Sequence, residues 1–298
     1  MKKRIEDWNV VKLSQEQDEH IIEAIGRCRI VIRNGEVVEV GEPQIKDCPL
    51  AKRFAYPISD IKPESVKANI EHRIKAFGMC TPGREVLDTR EFVGFGASEL
   101  LSFGLAAGIF DAVVLACDGA GTVVVTQPAM VQGIGGRMSG LASTCPYPSV
   151  MDRIEQGGGY VADRAHATMD QTAGVALAAD HGFRKIAVTV ALPDNAEAIR
   201  KKFPGSFIFG VHVTGLTKEE AERLVAVSDL VTSCASKTIR DVAGPKALVQ
   251  AGVSIPIFAL TPAGKDLIMQ KIQKSHEPVL VKPTKLPSLG SKQPEPLV

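Results

Sequence analysis

Five short, almost continuously apolar runs constrain this chain more than any other feature. They are residues 111–117, 186–192, 207–213, 230–234 and 255–260. A strand of that composition is stable only where both faces of its sheet are covered. Stretches of helical character separate most of them, at 170–181, 195–203, 218–227 and 236–251. Regular alternation of strand and helix implies parallel pairing through right-handed crossovers. The expected fold class is therefore α/β, a Rossmann-like parallel sheet, with its ligand-binding domain over residues 91–275.

The first ninety residues have a different rhythm and predict a small N-terminal α+β domain. Residues 17–27 carry Ile21, Ile22 and Ile25 at helical spacing. Two β-rich runs within 29–40 flank Asn34-Gly35, the strongest short hairpin signal. Pro63-Glu64-Ser65 opens a helix that runs through Phe77 and stops at Gly78. At the other end, residues 276–298 are Pro-rich with little amphipathic pattern, which predicts an extended or disordered tail.

Composition narrows the function classes. With 35 basic and 34 acidic residues the formal net charge is +1. Phosphate-backbone binding draws on a basic surplus, so no nucleic-acid partner is expected. No apolar run reaches the roughly 18 residues of a membrane helix. The charged start, Met1 to Asp7, lacks the apolar core of a signal peptide. The expectation is a cytoplasmic protein with no membrane partner. Six cysteines are scattered without a C-x-x-C pair, which predicts free, mostly buried thiols and assigns no metal. His166 and Asp170 lie four apart but lack a third ligand. A redox cluster on Cys80, Cys117 and Cys234 is the alternative use of the thiols.

In open parallel sheets, ligands bind beyond the carboxyl ends of the strands. The segments that follow the five runs are small or polar: Asp118 to Thr122, Pro193 to Asn195, Thr214-Gly215, Cys234 to Thr238 and Thr261 to Lys265. Their convergence predicts a small-molecule cleft. Asp118, Gly119, Gly121 and Thr122 form a Gly-rich turn after the first apolar run. The turn suits a nucleotide cofactor, and equally an Asp-Gly hairpin leading into Val123-Val124-Val125. Gln132, Gly133, Gly135 and Gly136 with Arg137 predict a flexible loop whose guanidinium clamps a carboxylate or phosphate. Ser98 and Glu99 stand at a helix start, placed either to bind substrate or to cap the helix. Ser236, Lys237 and Arg240 begin another helix, and Lys237 is the candidate catalytic residue. A solvated helix face is the alternative there. His212, near a strand end, reads as a hydrogen-bonded core residue.

Several of these segments, with Phe77 to Pro82, occur in the order FGMCTP, GASELL, CDGAGTV, VQGIGGR and CASK. In that order they resemble the methanogenesis marker protein 8 family over residues 17–275. DGAGT, QGIGGR and CASK are also distantly similar to the pyridinol C-methyltransferase of iron-guanylylpyridinol cofactor biosynthesis. That second resemblance implies a Rossmann-like homodimer that takes S-adenosylmethionine as cofactor. It implies methylation of a small, heterocyclic acceptor in anaerobic metabolism. The non-catalytic alternative is a cofactor-binding or assembly protein.

Overall fold

The structure, a computed structural model, describes residues 18–138 and 140–298. Two sheets organise them. The larger has eight strands in the order β11-β12-β10-β9-β8-β4-β5-β7. Its centre is β4 (Ala112–Cys117), β8 (Ile186–Val190), β9 (Phe207–Gly210) and β10 (Leu230–Thr232). Those four strands run parallel in that spatial sequence. Four of the five apolar runs are therefore same-direction neighbours.

The fifth run departs from the expectation. β12 (Ile257–Ala259) pairs antiparallel with β10, and β11 (Val249–Ala251) pairs antiparallel with β12. The cause lies in residues 236–251, where the expected long helix stops early. α8 covers only Lys237–Ala243, because Gly244-Pro245 ends it and the chain returns as β11. At the other edge Gly119 and Gly121 take φ of 81° and 70°. They turn the chain into β5 (Gly121–Val125), antiparallel to β4, and β7 (Tyr160–Val161) follows at that edge. The DGAG turn is thus the hairpin alternative, and the sheet is mixed rather than parallel.

β4 shows how the sheet is held. Ala112 and Val114 enter one core, beside Val175 of α5 (Gln171–Asp180) and Ile199 of α6 (Pro193–Lys202). The same core takes Leu224 of α7 (Lys218–Val227) and Ile239 of α8. Val113, Leu115 and Cys117 enter the other core. There they meet Leu100 and Leu101 of α2 (Ala97–Ala106) and Val131 of α3 (Pro128–Ile134). Met151 of α4 (Pro148–Gln156) and Leu267 of α9 (Pro262–Lys274) complete that layer. Alternate residues of one strand thus serve two helical layers. That is why its sequence is apolar throughout.

The smaller sheet has the order β3-β2-β1-β6 and is antiparallel throughout. β2 (Cys28–Arg33) and β3 (Glu36–Val40) form the expected hairpin, with Asn34 and Gly35 at φ of 50° and 74°. α1 (Pro63–Phe77) ends as expected at Gly78, which is left-handed and returns its N–H to Ile74 O. Residues 19–24, expected to be helical, are instead strand β1 (Glu19–Ala24), buried at every position. Ile21 and Ile22 face different cores. An extended chain between β2 and β6 satisfies both, where a helix would turn them to one side. The fourth strand, β6 (Gly140–Ser143), comes from far along the chain.

The tail is extended and tied to the body. Glu295 exchanges backbone bonds with Lys46 and Asp47, and Val298 does so with Ala235 and Lys237.

Candidate functional site

The carboxyl ends of the parallel strands lie under the smaller sheet. Arg27, at the β1–β2 turn, packs on Gly215 beyond β9, where a Cβ would collide with its guanidinium. Ile255, before β12, packs into the core of the smaller sheet. Beyond β4, the Gly119 N–H donates to Thr144 Oγ1 at 2.7 Å. The seam between the sheets is therefore where a site on these strand ends must lie. A shallow cavity of about 340 Å³ lies at the opposite, amino ends, lined by Phe110, Ile186, Phe207 and Leu267 among others.

Four side chains from two remote segments converge at the seam beside β4. His20 lies on β1, Asp18 just precedes that strand, and Cys145 and Tyr147 follow β6. His20 Nε2 lies 3.4 Å from Cys145 Sγ and 3.6 Å from Asp18 Oδ1. Cys145 Sγ lies 3.8 Å from the same Asp18 oxygen. The Tyr147 hydroxyl donates to Asp18 Oδ1 at 2.5 Å and lies 2.9 Å from His20 Nε2. Each pair is spaced by two in the sequence, and both members of each reach the same point.

A contact on the far side of the ring sets the histidine's orientation. His20 Nδ1 is 2.7 Å from Thr144 Oγ1. That oxygen already accepts from Gly119 N, and its own hydrogen is directed to the Cys145 carbonyl at 3.4 Å. Thr144 thus holds Nδ1, and Nε2 faces Asp18, Cys145 and Tyr147. Burial pulls the His20 pKa down, against the opposing pull of Asp118, Asp18 and Glu19. Burial also raises the Cys145 thiol, helped by the Asp18 charge. Burial and the bond to Asp18 push the Tyr147 phenol well above its usual range. The resting group is thus a neutral imidazole, a thiol and a phenol around one carboxylate.

Behind it lies a buried ion pair. Arg84 and Asp118 are both fully buried, with Nε 2.9 Å from Oδ1. Asp118 Oδ2 also accepts from Cys80 N at 2.6 Å, and the Cys80 carbonyl is 3.4 Å from the Tyr147 hydroxyl.

The residues singled out in the sequence fall into three sets. In the first, Asp118 serves Arg84, Gly119 packs on the Tyr147 ring and Gly121 on the Ala167 carbonyl. Thr122 is held by Gln171 and the Asp170 N–H. In the second, Gln132 and Gly133 lie inside helix α3 rather than in a loop, because Gly133 lets the helix press on Val86 O. Gly136 crowds the Gln132 carbonyl, Gly135 packs near Val131 O, and Arg137 pairs with Asp88. Ser98 donates to Glu99, whose other oxygen accepts from Phe92 N. These two sets meet at Phe77, where Arg84 and Arg137 stack with Cζ 5.0 and 4.7 Å from the ring centroid.

The third set is elsewhere. Ser236 caps α8, and Arg240 is buried against the carbonyls of Ser236 and Ser254 and the side chain of Gln293. Lys237 is exposed and paired with Asp241. His212 is half-buried in a left-handed conformation, φ 54°, and burial lowers its pKa to about 4. His166 contacts Asp163, whereas Asp170 caps α5. All six cysteines are free, four of them buried. Among the described residues, the group with metal-ligand spacing is Asp18, His20 and Cys145, and it includes none of Cys80, Cys117 and Cys234. Only the D-x-H and C-x-Y spacings hint at that group in the sequence.

These features define an α/β protein in which an antiparallel sheet caps a larger mixed one, with an Asp–His–Cys–Tyr group at the seam. Residues 20–273 match the family described as "Uncharacterized protein conserved in archaea (DUF2099)", and the chain belongs to that family. It is 41% identical over 284 residues to a protein of Methanocaldococcus jannaschii described as uncharacterized. That alignment covers 94% of this chain and 100% of the relative. No solved structure matches the chain. Among the described residues no helix is long and apolar enough to cross a membrane.

Proposed function

We propose that the chain is an enzyme acting on a small molecule at the seam, with Asp18, His20, Cys145 and Tyr147 as the reacting group. The observation that carries this reading is their convergence within 3.8 Å or less, with Nε2 of His20 turned inward by Thr144. A neutral imidazole beside a thiol, a phenol and a carboxylate offers proton acceptors, proton donors and a nucleophile at one point. Such a group has no evident purpose as packing. An apolar cluster of the same volume would avoid the cost of burying these polar atoms.

The specific reaction we propose is methyl transfer from S-adenosylmethionine to a small heterocyclic acceptor in anaerobic metabolism. In its support, β4, β8, β9 and β10 run parallel at the centre of the sheet, and the glycine turn after β4 accepts from Tyr147 N. The resemblance to methanogenesis marker protein 8 and to the pyridinol C-methyltransferase points the same way. Isothermal titration with S-adenosylmethionine and with its demethylated product is the test. Binding of either, weakened in Tyr147→Phe, is the expected result. Absence of heat with both removes methyl transfer. A ligand that copurifies, is identified by mass spectrometry and is never turned over identifies a carrier instead.

A further inference from the structure

We propose that Asp18, His20 and Cys145 form a binding site for a borderline divalent metal ion, Zn²⁺ or Fe²⁺. The three donor atoms stand 3.4, 3.6 and 3.8 Å apart. A metal at about 2.0–2.3 Å from nitrogen, oxygen and sulfur in tetrahedral array requires donor separations of about 3.3–3.8 Å. The side chains thus already stand at the edges of such a tetrahedron. One sulfur, one imidazole nitrogen and one carboxylate oxygen select a borderline ion over Mg²⁺ or Ca²⁺, which take oxygen sets.

The surroundings of the donors match what a metal site requires. His20 turns Nε2 inward because Nδ1 is bonded to Thr144 Oγ1. That contact fixes the ring, and Thr144 Oγ1 is placed to accept the Nδ1 hydrogen when Nε2 ligates a metal. Tyr147 donates to the ligating Asp18 oxygen, and its hydroxyl lies 2.9 Å from His20 Nε2. The ring is wedged on Gly119 and Val150, so the hydroxyl is held there by packing. Three protein ligands leave one tetrahedral position to water or substrate, the pattern of catalytic rather than structural sites. Binding converts the Cys145 thiol to a thiolate, and its proton leaves to solvent.

The metal site deepens the reading of this group as the reacting centre, but it is tested without turnover. Full-length protein is prepared reduced, stripped with a chelator and titrated with Co²⁺. The expected result is saturation at one equivalent, with a thiolate-to-cobalt charge-transfer band and the intense visible bands of four-coordinate Co²⁺. Zn²⁺ should displace both. Cys145→Ser should abolish the charge-transfer band, and Cys234→Ser, at the other half-buried thiol, should keep it. Thr144→Val should weaken affinity roughly tenfold or more. Thermal melts of the apo variants separate lost ligation from lost fold. If His20→Gln fails to fold, the Cys145→Ser and Cys234→Ser pair still decides. A wild-type titration without a charge-transfer band overturns the proposal, as does a band that survives Cys145→Ser. A positive cobalt titration with no heat from S-adenosylmethionine keeps the metal site and removes methyl transfer. The opposite pair of results does the reverse.

Discussion

The large sheet and the seam above it are built on opposite rules. In the large sheet, the central strands β4, β8, β9 and β10 are largely apolar and buried between two helical layers. At the seam, the interior is polar: Arg84 with Asp118, His20 with Tyr147, Asp18 with Cys145. Its partners are remote, with His20 and Tyr147 separated by 127 positions. Hydrophobic burial is non-directional and tolerates substitution. Buried polar pairs are directional, and half of one is worse than none. The sheet therefore supplies stability, whereas the seam supplies specific geometry and is fragile to single changes.

That contrast sets an order of expected effects. The largest is Asp118→Ala, which strands the buried Arg84 guanidinium and should cost about 3–5 kcal/mol in urea unfolding. A loss below about 1 kcal/mol would mean that the seam is not held by this pair. Next comes pH. The folded pKa of His212, about 4, lies below its ordinary 6.5. The unfolded chain thus takes up the proton first as pH falls. Stability from this group is complete above about 6.5 and is lost on the way down to about 4, by no more than about 3.4 kcal/mol. His212→Asn, which tolerates the left-handed backbone, should flatten that part of the profile. Ile186→Val, in the large sheet, should cost only about 1 kcal/mol, since packing there yields gradually. Lys237→Ala should change stability by less than about 0.5 kcal/mol, because its pair with Asp241 is exposed. A large loss of activity in that variant would return Lys237 to the reacting centre.

The same contrast explains how much could be read from the sequence. Features fixed by neighbouring residues were legible. The Asn34-Gly35 hairpin, the α1 stop at Gly78 and the α7 limits all follow from local chemistry. For α7, Thr217 and Glu220 cap each other's backbone N–H groups, which marks the start. The four parallel strands were legible because burial on two faces leaves a plain apolar signature. Direction was not, since β12 is as apolar as its neighbours and only the Gly244-Pro245 break reverses it. β1 was misleading for a related reason. Ile21, Ile22 and Ile25 satisfy helical spacing, but two different cores claim Ile21 and Ile22.

The site was the least legible part. Glycine-rich turns attracted the functional reading, yet Gly119, Gly121 and Gly133 serve close packing against Tyr147, Ala167 and Val86. Asp18, His20 and Tyr147 carry no local signature beyond a spacing of two, and Cys145 looks like any scattered thiol. Only the pairing of β1 with β6 brings them together. Register, not motif, creates the group.

A crystal structure of zinc-treated protein, with anomalous data collected at the zinc edge, tests this account most directly. It predicts one strong anomalous peak about 2.0–2.3 Å from Cys145 Sγ, His20 Nε2 and an Asp18 oxygen. A density map in which these three side chains lie apart, or a peak held by other residues, would contradict it.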